Sequence, residues 1–193
     1  MPDNQKQATL VFVRGLPGSG KSTIVEAATK LLPEDTCAVL DPDATDYESE
    51  EYTVFCKEQL AQGVEEKLLP YRYLRSQSQG AIEEGRIIFW NQAFTNLESF
   101  KKVVNKHKEI AENADVNLTV LVVEVSVEPT VAKNRVAQRA LLGGHDVAEE
   151  RFNRFIEDYR SFEDDGFIVF KLNGEENVQS NALLLKEKVS SLR

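Results

Sequence analysis

Cysteine is scarce in this chain, since only Cys37 and Cys56 occur among its 193 residues. Their spacing matches neither the close pairs that ligate metals nor the C-x-x-C pairs of redox proteins. The two residues therefore give no support for a thiolate metal centre or for thiol redox catalysis.

Long apolar runs are also missing. No run approaches the ~18 residues that a membrane-spanning helix needs, and the first seven residues, MPDNQKQ, are polar where a secretion signal would be apolar. We therefore expect no membrane association and a cytoplasmic location.

Basic residues are in the minority. The chain has 23 Lys and Arg against 32 Asp and Glu, which gives a formal net charge of −9 at pH 7. Broad binding to nucleic acids or anionic membranes needs the opposite balance. The composition favours a small-molecule partner over nucleic acid and leaves room for a small local basic site.

The chain does contain an alternation of short apolar runs and longer mixed segments. The apolar runs predict strands at 8–13, 37–40, 86–90, 117–125 and 167–172. The segments between and after them predict helices at 21–32, about 50–62, about 71–84, 97–113, 129–141, 148–161 and 176–192. Nearly continuous apolar strands indicate burial on both faces of a sheet. We predict a single α/β domain, 1–193, with a mainly parallel five-stranded sheet flanked by helices.

In such sheets, ligands bind beyond the carboxyl ends of the strands. The loops after four of the predicted strands should therefore share one cleft. These loops follow Val13, Leu40, Trp90 and Val125.

The first of these loops carries a phosphate-binding motif. Residues 15–22, GLPGSGKS, match the pattern G-x-x-x-x-G-K-[ST] between a predicted strand and a predicted helix. Its glycines let backbone N–H groups point at phosphate oxygens, Lys21 can reach the terminal phosphates, and the Ser22 hydroxyl can ligate Mg²⁺. The predicted nucleotide-binding residues are Gly15, Pro17, Gly18, Ser19, Gly20, Lys21, Ser22 and Thr23. A glycine-rich turn matching by chance is the alternative.

Two aspartates follow the second predicted strand. Asp41 and Asp43 are two residues apart, on either side of Pro42, so both can project to one side. A kinase needs a carboxylate to accept the proton of the acceptor hydroxyl, and Mg²⁺ needs oxygen ligands. We assign Asp43 as the base and Asp41 as a metal ligand. The alternative is turn chemistry, in which the carboxylates cap local N–H groups.

Four arginines surround a pair of glycines further along the chain. Arg135 and Arg139 precede Gly143-Gly144, and Arg151 and Arg154 follow. This arrangement, at about 135–155, is typical of a hinged lid whose arginines balance phosphate charge and help to exclude water. Arg139 and Arg154 are the predicted catalytic arginines, beside Lys21 and Asp43. A helix-to-helix turn with surface ion pairs is the alternative.

A fourth segment, about 48–84, carries a basic and aromatic cluster: Tyr71, Arg72, Tyr73 and Arg75. Such a cluster could hold a phosphorylated or nucleotide acceptor. A solvated helix face is the other interpretation.

Four segments together resemble the zeta-toxin-like and polynucleotide-kinase-like branch of phosphate-loop kinases. They lie within roughly residues 8–160 and read GLPGSGKS, DPD, LLPYRYLRSQSQGAIEEGRIIFWN and RVAQRALLGGHDV. The resemblance implies a three-layer fold, transfer of the ATP γ-phosphate with Mg²⁺ to an alcohol, and an acceptor such as a nucleotide-sugar. It implies a helical acceptor-binding segment at about 48–84, and an antitoxin or other regulatory protein as a candidate partner. The chain departs from the branch at Asn91, where relatives commonly carry an acid, and at Phe155, where they often carry a second arginine. Trp90 is either a buried side chain or a wall on which a ring stacks.

Other functions fit the sequence less well. A GTPase-like switch lacks its Asn-Lys-x-Asp motif, since NKHK at 105–108 has no aspartate and lies in a predicted helix. A polynucleotide 5′-hydroxyl kinase needs a more basic binding channel than the composition favours. A nucleotide-dependent binding module without transfer activity would not require Asp43 or the lid arginines.

Overall fold

A parallel sheet forms the centre of the molecule. The computed structural model describes residues 5–144 and 146–193. Its strands are β1 (Lys6–Arg14), β2 (Cys37–Leu40), β3 (Ile87–Asn91), β4 (Val116–Ser126) and β5 (Val169–Asn173). They lie in the order β2-β3-β1-β4-β5, and every neighbouring pair is parallel. The predicted five-stranded α/β architecture is confirmed.

Helices connect the strands and cover both faces of the sheet. They are α1 (Lys21–Thr29), α2 (Glu50–Ala61), α3 (Leu69–Glu83), α4 (Leu97–Asn113), α5 (Pro129–Leu141), α6 (Glu149–Asp158) and α7 (Val178–Ser190), with 3-10 turns at Glu66–Leu68 and Glu163–Asp165. Local signals start several of them: the Ser49 and Asn96 side chains accept hydrogen bonds from the first turns of α2 and α4, and Pro129 begins α5. Among the described residues, no helix is both long enough and apolar enough to cross a membrane.

The core has two layers because β1 is buried on both faces. Leu10 and Phe12 pack on one side with side chains of α3 and α4, and Val11 and Val13 pack on the other with side chains of α1 and α7. Burial of each large apolar side chain contributes about 1.5–3 kcal/mol. The alternating contacts hold the carboxyl end of β1, and the loop that follows it, in a fixed position.

A buried ion pair closes the carboxyl end of β1. Arg14 is fully buried and lies opposite Glu124 of β4, and its Nη1 donates to Glu124 Oε1 at 2.9 Å and to the carbonyl of Arg160 at 2.8 Å. Its guanidinium lies 3.5 Å from the ring centre of Phe162 and 4.5 Å from that of Tyr159. Burial lowers the pKa of Arg14 and raises the pKa of Tyr159 to about 12.

This cluster explains why α6 is shorter than predicted. The periodic pattern predicts a helix over 148–161, but α6 ends at Asp158 and Tyr159 has extended backbone angles. The extended chain brings the rings of Tyr159 and Phe162 against Arg14. The segment after α6 is therefore attached to the strand that leads into the phosphate-binding motif.

Candidate functional site

One large cleft opens at the carboxyl ends of the strands, with a volume of about 1240 Å³. The loops after β1, β2 and β3 line it, as the sequence predicts, together with side chains of α3, α4, α5 and α6. The loop after β4 does not line it, because the end of β4 lies beneath the motif: a Cβ on Gly15 would come within 2.5 Å of the Val125 carbonyl oxygen. The cleft is large enough for two small ligands.

The phosphate loop, residues 15–22, wraps tightly around the start of α1. Gly18 has a φ of +82°, and a Cβ there would lie 2.3 Å from the Ala132 carbonyl oxygen of α5. Gly20 caps α1 with a φ of +94°. At Gly18, only glycine tolerates both the conformation and the close approach, and at Gly20 the conformation alone favours glycine. The predicted binding residues divide into those that line the cleft, Pro17, Gly18, Gly20, Lys21, Ser22 and Thr23, and those beneath the surface, Gly15 and the fully buried Ser19.

Lys21 is folded back over its own loop. Its Nζ donates to the carbonyls of Gly15 and Leu16, both at 2.9 Å. Burial lowers the pKa of this ammonium to about 8, while Asp41 and Asp43 act in the opposite direction. The side chain is half-buried at the floor of the cleft, where an anion would stabilise its charged form.

Asp41 contacts the phosphate loop directly. Ser22 Oγ donates to Asp41 Oδ2 at 2.8 Å, and Asn91 Nδ2 from the end of β3 donates to the same oxygen at 3.2 Å. A hydroxyl and a carboxylate oxygen side by side fit the oxygen preference of Mg²⁺. Among the described residues, no group of three or more His, Cys, Asp or Glu side chains forms a metal site. A magnesium ion bound with a nucleotide needs only one or two protein ligands, because phosphate oxygens and water supply the others.

Asp43 lies beside this pair at the entrance of the cleft. Its carboxylate is exposed and lines the cleft, and its backbone N–H donates to Asp41 Oδ1 at 3.0 Å. Asp41 therefore does make the turn contact that the alternative interpretation predicts, and it contacts Ser22 as well. Asp43, in contrast, is exposed and lines the cleft.

The first half of the predicted lid, which is α5, lies next to the phosphate loop. Arg135 donates to the Gly174 carbonyl at 3.0 Å, and both Arg135 and Arg139 line the cleft. Gly143 has a φ of +81°, and a Cβ on Gly144 would lie 2.6 Å from Cγ of Arg139, so the two glycines let the chain fold over this arginine.

The second half of the lid differs from the expectation. Arg151 of α6 lines the cleft, whereas Arg154 is exposed and is not among the lining residues. The two are three residues apart, and α6 turns Arg151 inward together with Phe155. The role of Arg154 stays a prediction. His145, in the same loop, lies outside the described residues.

The opposite side of the cleft, which we call the acceptor half, is formed by α3, the loop at 91–96 and α4. The donor half consists of the phosphate loop and the lid. The four residues of the predicted basic and aromatic cluster lie on different sides of α3. Tyr71 and Arg75 line the cleft. Arg72 donates to Gln59, and Tyr73 is buried against Tyr52 and Phe55. No residue of α2 lines the cleft, so only the second half of the predicted acceptor-binding segment, 48–84, does so.

Sequence reasoning missed Lys102 of α4, which lines the acceptor half. No local motif marks it, because its position depends on how α4 packs beside α3. Trp90 is only 3% exposed and packs on Phe12, Phe94 and His107, which favours the buried interpretation of its ring. Asn91 is 4% exposed and lines the cleft.

Comparisons with known proteins identify a family and several similar folds. A family model for an AAA domain, AAA_33, matches residues 10–162. No curated protein sequence matches the chain significantly.

Solved structures with a similar fold include three described by their bound ligands or assemblies. Kti12 of Chaetomium thermophilum in complex with ADP-AlF3 has a TM-score of 0.63 and 15% identity, over 94% of this chain and 97% of that one. A structure from the PezAT toxin–antitoxin system of Streptococcus pneumoniae has a TM-score of 0.58 and 14% identity, over 98% and 88%. Deoxyadenosine kinase of M. mycoides with bound dATP has a TM-score of 0.54 and 16% identity, over 93% and 98%. At these identities, the similarity shows a shared fold.

Proposed function

The chain belongs to the AAA_33 family of AAA domains, and we propose that it is a magnesium-dependent kinase that transfers the γ-phosphate of ATP to a hydroxyl group of a small molecule. One observation carries the proposal: Ser22 of the phosphate loop donates to Asp41 at 2.8 Å, and the exposed carboxylate of Asp43 lines the same cleft. A phosphate-binding loop, oxygen ligands for a metal and a carboxylate beside an open volume are the parts that phosphoryl transfer to an alcohol requires.

The similar folds of nucleotide-bound proteins support a nucleotide as the phosphate donor. Kti12 has been solved with ADP-AlF3 and deoxyadenosine kinase with dATP. In this chain, the phosphate loop and Lys21 would hold the β- and γ-phosphates. Ser22 and Asp41 would hold Mg²⁺, which supplies positive charge to the phosphate oxygens.

The residues of the cleft account for each bond and proton in the proposed transfer step. The bond between Pγ and the oxygen that bridges to the β-phosphate breaks, and ADP leaves with that electron pair. A bond forms between Pγ and the acceptor oxygen, whose proton passes to the Asp43 carboxylate and from there to solvent. Arg139 and Arg154 balance the charge of the moving phosphoryl group, with Arg151 as the alternative to Arg154 because it lines the cleft.

The lid would also limit hydrolysis. Closing α5 and α6 over the phosphate loop removes water from the site, which favours the acceptor hydroxyl as the nucleophile. The glycines at 143–144 are the hinge of the lid in this proposal. Beyond α6, the chain is held in place by Arg14, which donates to the Arg160 carbonyl.

A nucleotide-sugar, as in zeta toxins, is the acceptor we propose within this scheme, with an antitoxin or other regulatory protein as a partner. The similar fold in the PezAT toxin–antitoxin system supports the choice of partner, and the choice of acceptor rests on the resemblance of the sequence motifs. A polynucleotide 5′-hydroxyl kinase is the second candidate, because seven Lys and Arg side chains line the described cleft although the whole chain carries −9.

The proposal can be tested by incubating the protein with Mg²⁺, γ-labelled ATP and a metabolite extract, and following the label by mass spectrometry. Asp43→Asn is the matched control, because it keeps the shape of the side chain. We expect label in a new phosphorylated metabolite with the unaltered protein only. Label that remains in ATP, or appears only as inorganic phosphate, would contradict a small-molecule kinase and favour a binding module or a polymeric acceptor. Label that moves into added 5′-hydroxyl oligonucleotide would identify the second candidate.

A further inference from the structure

The acceptor half of the cleft contains a guanidinium that has no acidic partner among the described residues. Arg75 lies on the cleft-facing side of α3 and is half-buried. Among the contacts of the described residues, its side chain makes no hydrogen bond and no ion pair. Partly burying a cation without a counter-charge costs free energy, so a partner from outside the chain would stabilise it.

A second cation lies on the neighbouring helix. Lys102 of α4 lines the same half of the cleft and likewise has no ion pair within the described part of the chain. The two helices are held together by buried His107, whose Nδ1 donates to the Val103 carbonyl at 2.7 Å and whose Nε2 lies 2.8 Å from Ser78 Oγ of α3. Burial lowers the pKa of His107, which agrees with a neutral ring in this contact. Arg75 and Lys102 are therefore carried by packed helices.

The charge of the acceptor half differs from the net charge of the chain. On the outer surface, Lys30 pairs with Glu26 and Lys106 with Glu109, both at 2.7 Å. The chain has 32 acidic residues, but within the described residues only Asp41 and Asp43 line the cleft, and both lie beside the phosphate loop. The acceptor half therefore keeps a positive charge in an acidic protein.

The triphosphate does not account for this charge. Three other cations, Lys21, Arg139 and Arg151, line the donor half, on the side of the phosphate loop and the lid. Arg75 and Lys102 belong to different elements on the other side of the cleft. Their charges are matched if the acceptor also carries an anion.

Amide groups near these cations suit an acceptor that has hydroxyl groups as well. Asn91 Oδ1 is buried without a hydrogen-bond partner in the described structure, while its Nδ2 donates to Asp41. Gln92 and Asn96 line the same loop. The Gln92 amide, which lines the cleft directly after Asn91, can both donate to and accept from an acceptor hydroxyl.

We propose that the acceptor is a small hydroxyl compound with its own anionic group, a phosphate or a carboxylate, and that Arg75 and Lys102 bind this group. The inference rests on the proposed kinase function and adds the residues that bind the acceptor's anion; a nucleotide-sugar, whose diphosphate is anionic, is one member of this acceptor class. A guanidinium suits both groups because it can make two parallel hydrogen bonds to either.

The acceptor class can be tested by separating a metabolite extract on an anion-exchange resin into neutral and anionic fractions. Each fraction is incubated with the protein, Mg²⁺ and γ-labelled ATP. We expect labelled product from the anionic fraction alone. Treating that fraction beforehand with a phosphatase, which is then removed, distinguishes the two sources: loss of labelling indicates a phosphate and persistence a carboxylate. Labelling of the neutral fraction alone would overturn the inference and leave the kinase function intact.

Variants test the residues. Arg75→Met should raise the KM for the labelled acceptor about tenfold or more, since a charge-assisted hydrogen bond is lost, and should change the KM for ATP less than twofold. Lys102→Met should act in the same direction but more weakly, because its side chain is exposed. The matched controls are Arg72→Met on the same helix and Lys106→Met on α4, neither of which lines the cleft. Equal acceptor KM values in Arg75→Met and Arg72→Met would contradict the assignment.

A binding measurement keeps the inference testable if neither fraction is labelled, an outcome that would count against the kinase function itself. Inorganic pyrophosphate is titrated into the protein saturated with a non-hydrolysable ATP analogue, and the heat of binding is recorded. We expect one pyrophosphate site, at least tenfold weaker in Arg75→Met and unchanged in Arg72→Met. No binding by the unaltered protein, or equal binding by both variants, would contradict an anion site at Arg75.

Discussion

The donor half and the acceptor half of the cleft are built from different kinds of sequence. The donor half depends on one contiguous motif, GLPGSGKS, whose glycines fix the backbone and whose Lys21 and Ser22 follow directly. The acceptor half combines Arg75, Asn91 and Lys102, which come from three separate elements. The first is determined by local backbone conformation, and the second by how helices pack on the sheet.

The two halves should therefore tolerate substitutions differently. A phosphate loop must present consecutive backbone N–H groups, so its sequence can vary little without losing the shape. The acceptor half needs only suitable side chains on helix faces, which can change one at a time without disturbing the core. Substitutions in the donor half should therefore affect the phosphoryl transfer itself, and substitutions in the acceptor half should affect which molecule is phosphorylated.

The largest effect is expected from Asp43→Asn, at the boundary between the two halves. Loss of the proton acceptor should reduce the transfer rate by about 10²–10⁴-fold, while ATP binding is retained. The measurement is single-turnover transfer of labelled phosphate, with ATP affinity determined separately. Glu48→Gln, an exposed residue nearby that does not line the cleft, is the control. If Asp43→Asn transfers at the normal rate, Asp41 is the next candidate for the base.

Lys21→Ala should break the donor half alone. Removing the ammonium takes away a positive charge beside the phosphates and should lower transfer by about 10²–10³-fold, with weaker ATP binding. Pyrophosphate binding in the acceptor half should persist in this variant, which separates the two halves experimentally. The control is Lys30→Ala, which removes an exposed ammonium that directly follows α1 and pairs with Glu26. Unchanged turnover in Lys21→Ala would remove the basis of the proposed mechanism.

The scaffold beneath the donor half can be tested through stability. Arg14→Met leaves Glu124 buried without its cation, and should lower the free energy of unfolding by about 3–5 kcal/mol. The double variant Arg14→Met/Glu124→Gln should lose clearly less, because the amide oxygen can still accept from the Phe162 N–H, which lies 2.9 Å from the native carboxylate. Urea denaturation gives both values. Lys30→Met, at an exposed ion pair, should change stability by less than about 1 kcal/mol, and an equally small effect of Arg14→Met would contradict a structural role for the pair.

The sequence predicted the strands, the helices and the sheet class, because short apolar runs mark the strands and the mixed segments between and after them are long enough for helices. It did not predict where α6 ends, since the contact of Tyr159 and Phe162 with Arg14 involves residues far apart in the chain. In the candidate site, it indicated the residues of the contiguous motif and the two aspartates after β2. The roles of these residues stay predictions.

Helix phase and packing explain what the sequence left open. Tyr71, Arg72, Tyr73 and Arg75 form one cluster in the sequence, but α3 turns only Tyr71 and Arg75 into the cleft. On α6, Arg151 and Phe155, which are one turn apart, line the cleft, whereas Arg154 does not. No sequence motif marks Lys102, because its side chain lines the cleft only through the packing of α4 beside α3.

The smallest expected effect, a pH dependence, distinguishes the lysine of the donor half from the rest of the cleft. Burial lowers the pKa of Lys21 to about 8, and bound phosphates would raise it again, so the protonated form is the one that binds ATP. Affinity should be constant with respect to this group below pH 8 and should fall by up to about tenfold per pH unit above it. Calorimetry between pH 7.5 and 9.5, in two buffers with different heats of ionisation, should show proton uptake on ATP binding at the upper end. Lys21→Arg keeps its charge throughout this range, so its binding should lack the extra pH dependence. Parallel curves for the two proteins would show that Lys21 does not titrate in the donor half.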